Sequence, residues 1–247
     1  MTDQNEQLRV GGMQPLTLID FPGHLSSVLF LQGCNLRCRF CYNRTLLPEF
    51  APESISWHSI IEFLKDRQGF VEGVVFSGGE PCMQPALLSA MHEVSDLGYE
   101  IALHTNGFYP EVVEKALQQR LLQFVAVDYK APLHRYQEIA GQPASVKNFK
   151  KLAEVIVASG VAHEYRTTFH PRLMKDSDLI DMADWLAEQR IANFALQKFK
   201  HGDALDRTLP PVIGPWILKS TIMKLKSRFA GFTLRNDGNN DLLERAA

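Results

Sequence analysis

The sequence predicts an α/β fold built on a parallel sheet with helices packed against it. Three observations predict it. Short β-prone apolar runs and amphipathic helical stretches alternate about six times, in units near the ~30 residues of a strand–helix–strand crossover. The unusual polar clusters fall directly after strands, where sites form in such sheets. The chain has 247 residues, 45% of them hydrophobic, enough for a sizeable core, and no run approaches the ~18 apolar residues of a membrane span. Periodicity does not decide whether the sheet closes, opens as a partial barrel or lies flat.

In chain order, residues 8–27 carry Gly11-Gly12, Pro15 and Phe21-Pro22-Gly23 between apolar residues. They read as a hairpin or cap before the first core strand, Val28 to Leu31. Ser54 or Ser56 is placed to cap a helix that turns Ile60, Ile61 and Leu64 inward. Gly73 to Phe76 is a short buried strand. Pro85 is expected to open a helix through Leu87, Leu88, Met91 and Val94, ending near Gly98. Tyr99 to Leu103 is the next strand, Pro110 to Arg120 a helix, and Phe124 to Val127 a strand. Ser145 to Ser159 reads as a helix closed by Gly160, and His163 to Thr168 as a strand. Asp176 or Ser177 caps a helix to Gln189. A strand from Ala192 to Leu196, a helix from Pro215 to Lys226 and a strand from Gly231 to Leu234 complete the pattern.

Composition narrows the function. A formal net charge of −2 gives no reason to expect bulk nucleic-acid binding. The polar, acidic stretch from Met1 to Glu6 is unlike a signal peptide. Four cysteines, three of them clustered, make a poor disulfide framework and fit a reducing cytoplasm. The three are Cys34, Cys38 and Cys41, in a C-x3-C-x2-C loop straight after a strand. A loop this short can aim three sulfurs at one object, because each residue spans at most ~3.5 Å. Three thiolates suit a soft metal or an iron–sulfur cluster that keeps one iron open. Zinc completed by a histidine or by Cys82 is the alternative, although the paired spacings zinc loops favour are missing. Cys82 otherwise reads as a small buried hydrophobe.

Five further features stand out on or just after strands. Ser77-Gly78-Gly79-Glu80-Pro81 is either a tight turn or a place where bare backbone approaches a ligand. Thr105-Asn106-Gly107 is a common turn sequence. Asp128-Tyr129-Lys130 turns two charges the same way, suiting a zwitterionic ligand or an internal ion pair. Arg166 sits on a strand, free to pair with Glu164 or to fork onto a carboxylate. The run Gln197 to Gly202, around His201, is a weaker candidate for contacting a base.

The loop C-x3-C-x-aromatic-C, with Phe40 in the aromatic position, resembles the cluster loop of radical S-adenosylmethionine (SAM) enzymes. The stretch Gly11 to Gly23, Gln32-Gly33-Cys34-Asn35, Val127 to Pro132 and Arg166-Thr167-Thr168 are similar to one subgroup. That subgroup is the anaerobic ribonucleoside-triphosphate reductase activating proteins, close to the pyruvate formate-lyase activating enzymes. The resemblance implies a single radical SAM domain over 1–247, with residues 1–27 as hairpin or cap and 28–247 as an incomplete (β/α)6 TIM-like barrel. It implies that Cys34, Cys38 and Cys41 hold three irons of one 4Fe–4S cluster and that SAM chelates the fourth. Gly78, Gly79 and Glu80 would bind SAM's amino group. Phe40, Asn106, Asp128, Lys130 and Arg166 would complete the cofactor pocket. A flavodoxin or ferredoxin would supply an electron, and the resulting 5′-deoxyadenosyl radical would take hydrogen from a glycine of the partner enzyme. His104 stands where related activating enzymes carry a cation-binding Asp, which puts that cation site in doubt here. A small-molecule substrate, in a cofactor or modified-nucleoside pathway, is the alternative, and neither nucleic acid nor membrane is expected as a partner.

Overall fold

A computed structural model describes residues 8–51, 54–236 and 239–241. Among the described residues nine strands form one sheet in sequential order: β1 (Val10–Thr17), β2 (Ser26–Leu31), β3 (Gly73–Gly78), β4 (Glu100–Thr105), β5 (Phe124–Asp128), β6 (Ala162–Phe169), β7 (Asn193–Lys198), β8 (Gly231–Asn236) and β9 (Asn239–Asp241). Neighbours from β2 to β8 pair in parallel, and β1 and β9 flank them antiparallel. Helices occupy the crossovers: α1 (Trp57–Lys65), α2 (Leu87–Asp96), α3 (Pro110–Gln118), α4 (Tyr136–Ala140), α5 (Val146–Ser159), α6 (Asp176–Glu188) and α7 (Lys219–Lys226). Six strand–helix units therefore precede β8. The edge strands β1 and β9 do not pair with each other among the described residues, so the sheet is open. This is the incomplete (β/α)6 arrangement.

Local chemistry explains most boundaries. Ser56 and Ser145 each accept a backbone N–H two or three residues into their helices, and Gly160 closes α5 with φ of 71°. Some expectations shift. Ala86, not Pro85, stands at the start of α2. Lys175 rather than Asp176 or Ser177 precedes α6, where Asp178 accepts the Lys175 N–H. The last helix begins at Lys219 instead of Pro215. Its entry is tied down by long-range bonds that no local period reveals, Leu218 N–H to Asp176 and Trp216 Nε1–H to Asn236. The five-residue α4 and strand β9 were not expected, being too short to show a period.

The sheet's two faces are covered differently. Leu29, Val74, Phe76, Ile101, Leu103, Val125, Val127, Tyr165 and Phe194 belong to the main core, with the helices' buried residues. The alternate residues Val28, Val75, Ala102, Phe124 and Ala126 form a second, smaller core on the helix-free face. Its lid is Phe21, from the turn between β1 and β2, which is 2% exposed and stacks on Phe124 with centroids 6.0 Å apart. The hairpin turn thus fills the helix-free face and leaves its carboxyl-end rim for polar residues. We predict that Phe21→Ala lowers unfolding free energy by about 3–5 kcal/mol in urea titrations. Leu18→Ala, on the same turn but 72% exposed, changes it by less than about 0.5 kcal/mol. Equal effects of the two would mean the lid carries no core.

Candidate functional site

The site grows out of strand parity. Ser77, His104 and Asp128 continue the alternation of Val75, Ala102 and Ala126, and Arg166 pairs in register with Asp128. These side chains therefore share the helix-free face at the carboxyl ends of β3 to β6. The cysteine loop leaves β2 at the same rim. Together they enclose a cavity of about 810 Å³, open mouth included. Its lining contains Cys34, Cys38 and Cys41, Phe40, the Ser77-Gly78-Gly79 backbone, His104-Thr105-Asn106, Asp128, Lys130 and Thr168.

Two glycines weld the cysteine loop to β3. Gly79 N–H donates to Leu31 O (2.9 Å) and Glu80 N–H to Gly33 O (2.8 Å). A Cβ on Gly79 would fall 2.0 Å from the Gly33 carbonyl oxygen, and one on Gly78, whose φ is +116°, 2.2 Å from Leu31 N. Only glycine permits this approach. Gly78 and Gly79 are thus required by the contact between two strand ends, and their backbone lines the cavity as well.

Glu80 lies beneath the cavity rather than in its wall. Its carboxylate is fully buried and accepts Thr105 Oγ1–H (2.7 Å), Asn106 N–H (2.6 Å) and Cys82 N–H (3.0 Å). Burial pushes its carboxyl above the ordinary range, against those three donors. It joins the β3 and β4 ends through these bonds. Asn106 Nδ2–H in turn donates to Asn35 in the cysteine loop (2.7 Å).

Charge is organised around Asp128. Arg166 Nε and Lys130 Nζ each sit 3.0 Å from one of its oxygens. Burial alone would raise the Asp128 carboxyl, but the two cations outweigh it and hold it well below the ordinary range. Burial would lower the Lys130 ammonium, yet Asp128 with Cys38 keeps it raised. Glu164, the partner considered for Arg166, is instead 2.9 Å from Arg235 of β8. Arg166 is therefore held by Asp128 and stands behind the lining residues. His104 Nε2–H donates to the Asp20 carbonyl (2.8 Å), and burial, with Arg166 nearby, brings its imidazole from 6.5 down to about 3. It is a neutral, pinned group.

The three thiols are near enough to bear on one another's ionisation. Burial pushes Cys34 up to about 11 and Cys38 up to about 12, and Leu36 N–H points at Cys34 Sγ (3.4 Å). Among the described residues no three His, Cys, Asp or Glu side chains are gathered tightly enough for a single metal ion. Cys82 is buried at 5% exposure in the main core, away from the cavity lining. The Gln197 to Gly202 run is also absent from that lining. Instead its Phe199 stacks on Tyr42 of the cysteine loop (5.6 Å). Ser77, Thr168 and Asn43 are lining residues that sequence reasoning missed. For Ser77 and Thr168 the signal was available, as strand parity with Val75 and Arg166.

Comparison with known proteins gives three findings. A family model described as the Radical SAM superfamily matches residues 28–186. A Methanocaldococcus jannaschii protein, named as a candidate glycyl-radical enzyme activating enzyme, is 32% identical over 206 residues, 80% of this chain and 82% of that one. The pyruvate formate-lyase-activating enzyme of Clostridium pasteurianum is 30% identical over 117 residues, 43% and 48% of the two chains. In fold, the chain is similar to the crystal structure of Streptococcus suis SuiB, with a TM-score of 0.60 at 15% identity. That match covers 83% of this chain and about half, 47%, of that one.

The pinned imidazole carries a pH signature. His104 stays neutral when folded, while an unfolded chain takes up its proton near pH 6.5. Its contribution to stability is therefore present above pH 6.5 and lost as pH falls toward 3. In urea unfolding, wild type should lose stability over that window more steeply than His104→Asn, by up to about 1.4 kcal/mol per pH unit. Parallel pH profiles would contradict the assignment.

Proposed function

Because the chain belongs to the radical SAM superfamily, we propose that it activates a glycyl-radical enzyme, with an anaerobic ribonucleoside-triphosphate reductase as that partner. The superfamily's cofactors are a 4Fe–4S cluster and SAM. When bound, they supply reductive cleavage of the sulfonium to a 5′-deoxyadenosyl radical, which removes hydrogen from a glycine Cα of the partner.

The residues present suit those groups. Cys34, Cys38 and Cys41 would hold the cluster: their donor set is soft and shares one cavity. Three ligands leave one iron for SAM. The Gly78 and Gly79 backbone comes beside the loop, suiting an ammonium group held by bare carbonyls. Asn106 and the Asp128–Lys130 pair line the cavity, presenting an amide and both signs of charge to a zwitterion. Phe40, 4% exposed, gives the wall an apolar face. Glu80 and Arg166 serve as positioning residues, through Asn106 and Asp128 respectively. The single observation that carries the reading is this convergence of three thiols, a bare double-glycine backbone and a compensated charge pair on one cavity. The names of the relatives supply the class of partner. A flavodoxin or ferredoxin would be the reductant, in a reducing cytoplasm. The described residues include no helix long and apolar enough to cross a membrane.

The test is anaerobic loading with iron and sulfide, then SAM cleavage assayed with each candidate partner and a reductant. A glycyl radical on the reductase is the expected result. Cleavage only with a small metabolite would replace the protein substrate by a small-molecule one. Cys38→Ala should lose bound iron and SAM cleavage together, by about 100-fold or more. Retained cleavage would remove Cys38 from the ligand set.

A further inference from the structure

The cysteine loop is gripped from both sides by distant backbone. On one side Arg37 N–H donates to Ala140 O (2.9 Å) and Arg39 N–H to Ile139 O (3.0 Å), at the end of α4. On the other, Leu205 N–H donates to Cys41 O (2.9 Å) and Asp206 N–H to Arg39 O (2.8 Å). Residues 37–41 thus run between two foreign segments, as a middle strand would. Arg39, between the second and third cysteines, is held through its N–H, its carbonyl and its side chain. Its Nε and Nη2 reach one Asp206 oxygen at 2.9 and 2.7 Å, while Thr208 occupies the other through N–H (2.9 Å) and Oγ1–H (2.6 Å).

The segment that supplies these contacts, residues 199–210, follows β7 and is irregular. It is nevertheless anchored. Ala204 and Leu209 are 2% and 4% exposed in the main core, and His170 Nε2 lies 3.0 Å from Pro210 O. Phe199 stacks on Tyr42, and the Tyr42 hydroxyl accepts Lys200 N–H. None of residues 199–210 lines the cavity. Contact with a bound molecule in that cavity therefore does not account for the segment. Its attachments to the cysteine loop run to Arg39, Cys41 and Tyr42.

We propose that residues 199–210 are a latch that holds Cys38 and Cys41 in position for the cluster, with Asp206 as a positioning residue acting through Arg39. This rests on the reading that the three cysteines are the cluster's ligands. The physical argument is preorganisation. A loop already fixed at Arg39 and Cys41 surrenders little conformational freedom when its thiolates are bound, and a released loop lets ligands depart one at a time. Arg39 is 40% exposed, so its ion pair with Asp206 adds little to global stability. The latch should therefore show in retention of iron far more than in unfolding.

The experiment uses the full chain, loaded anaerobically, and follows transfer of iron to a ferrous chelator. Asp206→Asn and Arg39→Gln should each release iron about tenfold faster than wild type, and the double variant no faster than the singles. Asp203→Asn, which breaks the 83%-exposed carboxylate's pair with Arg44, should stay within about twofold. The urea midpoint of the metal-free chain should be nearly the same in all four. Iron release within twofold of wild type in both Asp206→Asn and Arg39→Gln would overturn the latch alone. So would faster release matched by an equally lowered unfolding midpoint. A wild type that takes up no iron would overturn the ligand reading and the latch with it.

Discussion

The rest of the site depends on one close contact, between the peptide of Gly79 and the carbonyl of Gly33. Two adjacent parallel strands normally diverge into independent loops at their carboxyl ends. Here β2 and β3 stay together for two residues past their ladder, through Gly79 N–H to Leu31 and Glu80 N–H to Gly33. The contact leaves no room for a β-carbon. It sets the start of the cysteine loop, aims Glu80 under β4, and through Glu80 places Thr105 and Asn106. One backbone juxtaposition thus fixes three loops that would otherwise be free to move separately, and catalytic constellations require that kind of support.

A second constraint is the unequal cover of the sheet. Helices shield one face. On the other, the hairpin turn inserts Phe21 over the amino-end half and pins His104 with the Asp20 carbonyl. The carboxyl-end half is left to Asp128, Lys130 and Arg166, whose charges compensate one another. Burying a lone carboxylate there would be costly, and flanking it with two cations makes it permanent. The outcome is a rim whose charges are set before anything binds. The neutral His104 adds none.

Much of this was legible in the sequence because it is local. Ser145 and Gly160 bracket α5 by side-chain and backbone preferences acting over a few residues, and strand alternation puts Ser77, His104 and Asp128 on one face. The clustering of odd motifs at strand ends located the site. What the sequence hid is long-range pairing. Nothing near Glu80 in the chain says that its oxygens go to Thr105 and Asn106 rather than to a ligand, and nothing near Arg166 says that it chooses Asp128 over Glu164. The 199–210 segment has no period to read, since its order comes from contacts with a loop more than 150 positions earlier. Residues such as Leu218 and Trp216 delay the last helix for the same reason: their partners, Asp176 and Asn236, lie on other elements.

The most direct measurement is electron paramagnetic resonance of the anaerobically loaded, chemically reduced chain, recorded with and without S-adenosylmethionine. If three thiols hold a cluster with one iron open toward the double-glycine backbone, the reduced protein shows a 4Fe–4S signal and the added molecule changes its g-values. A signal unchanged by S-adenosylmethionine, or no iron–sulfur signal at all, would contradict the account.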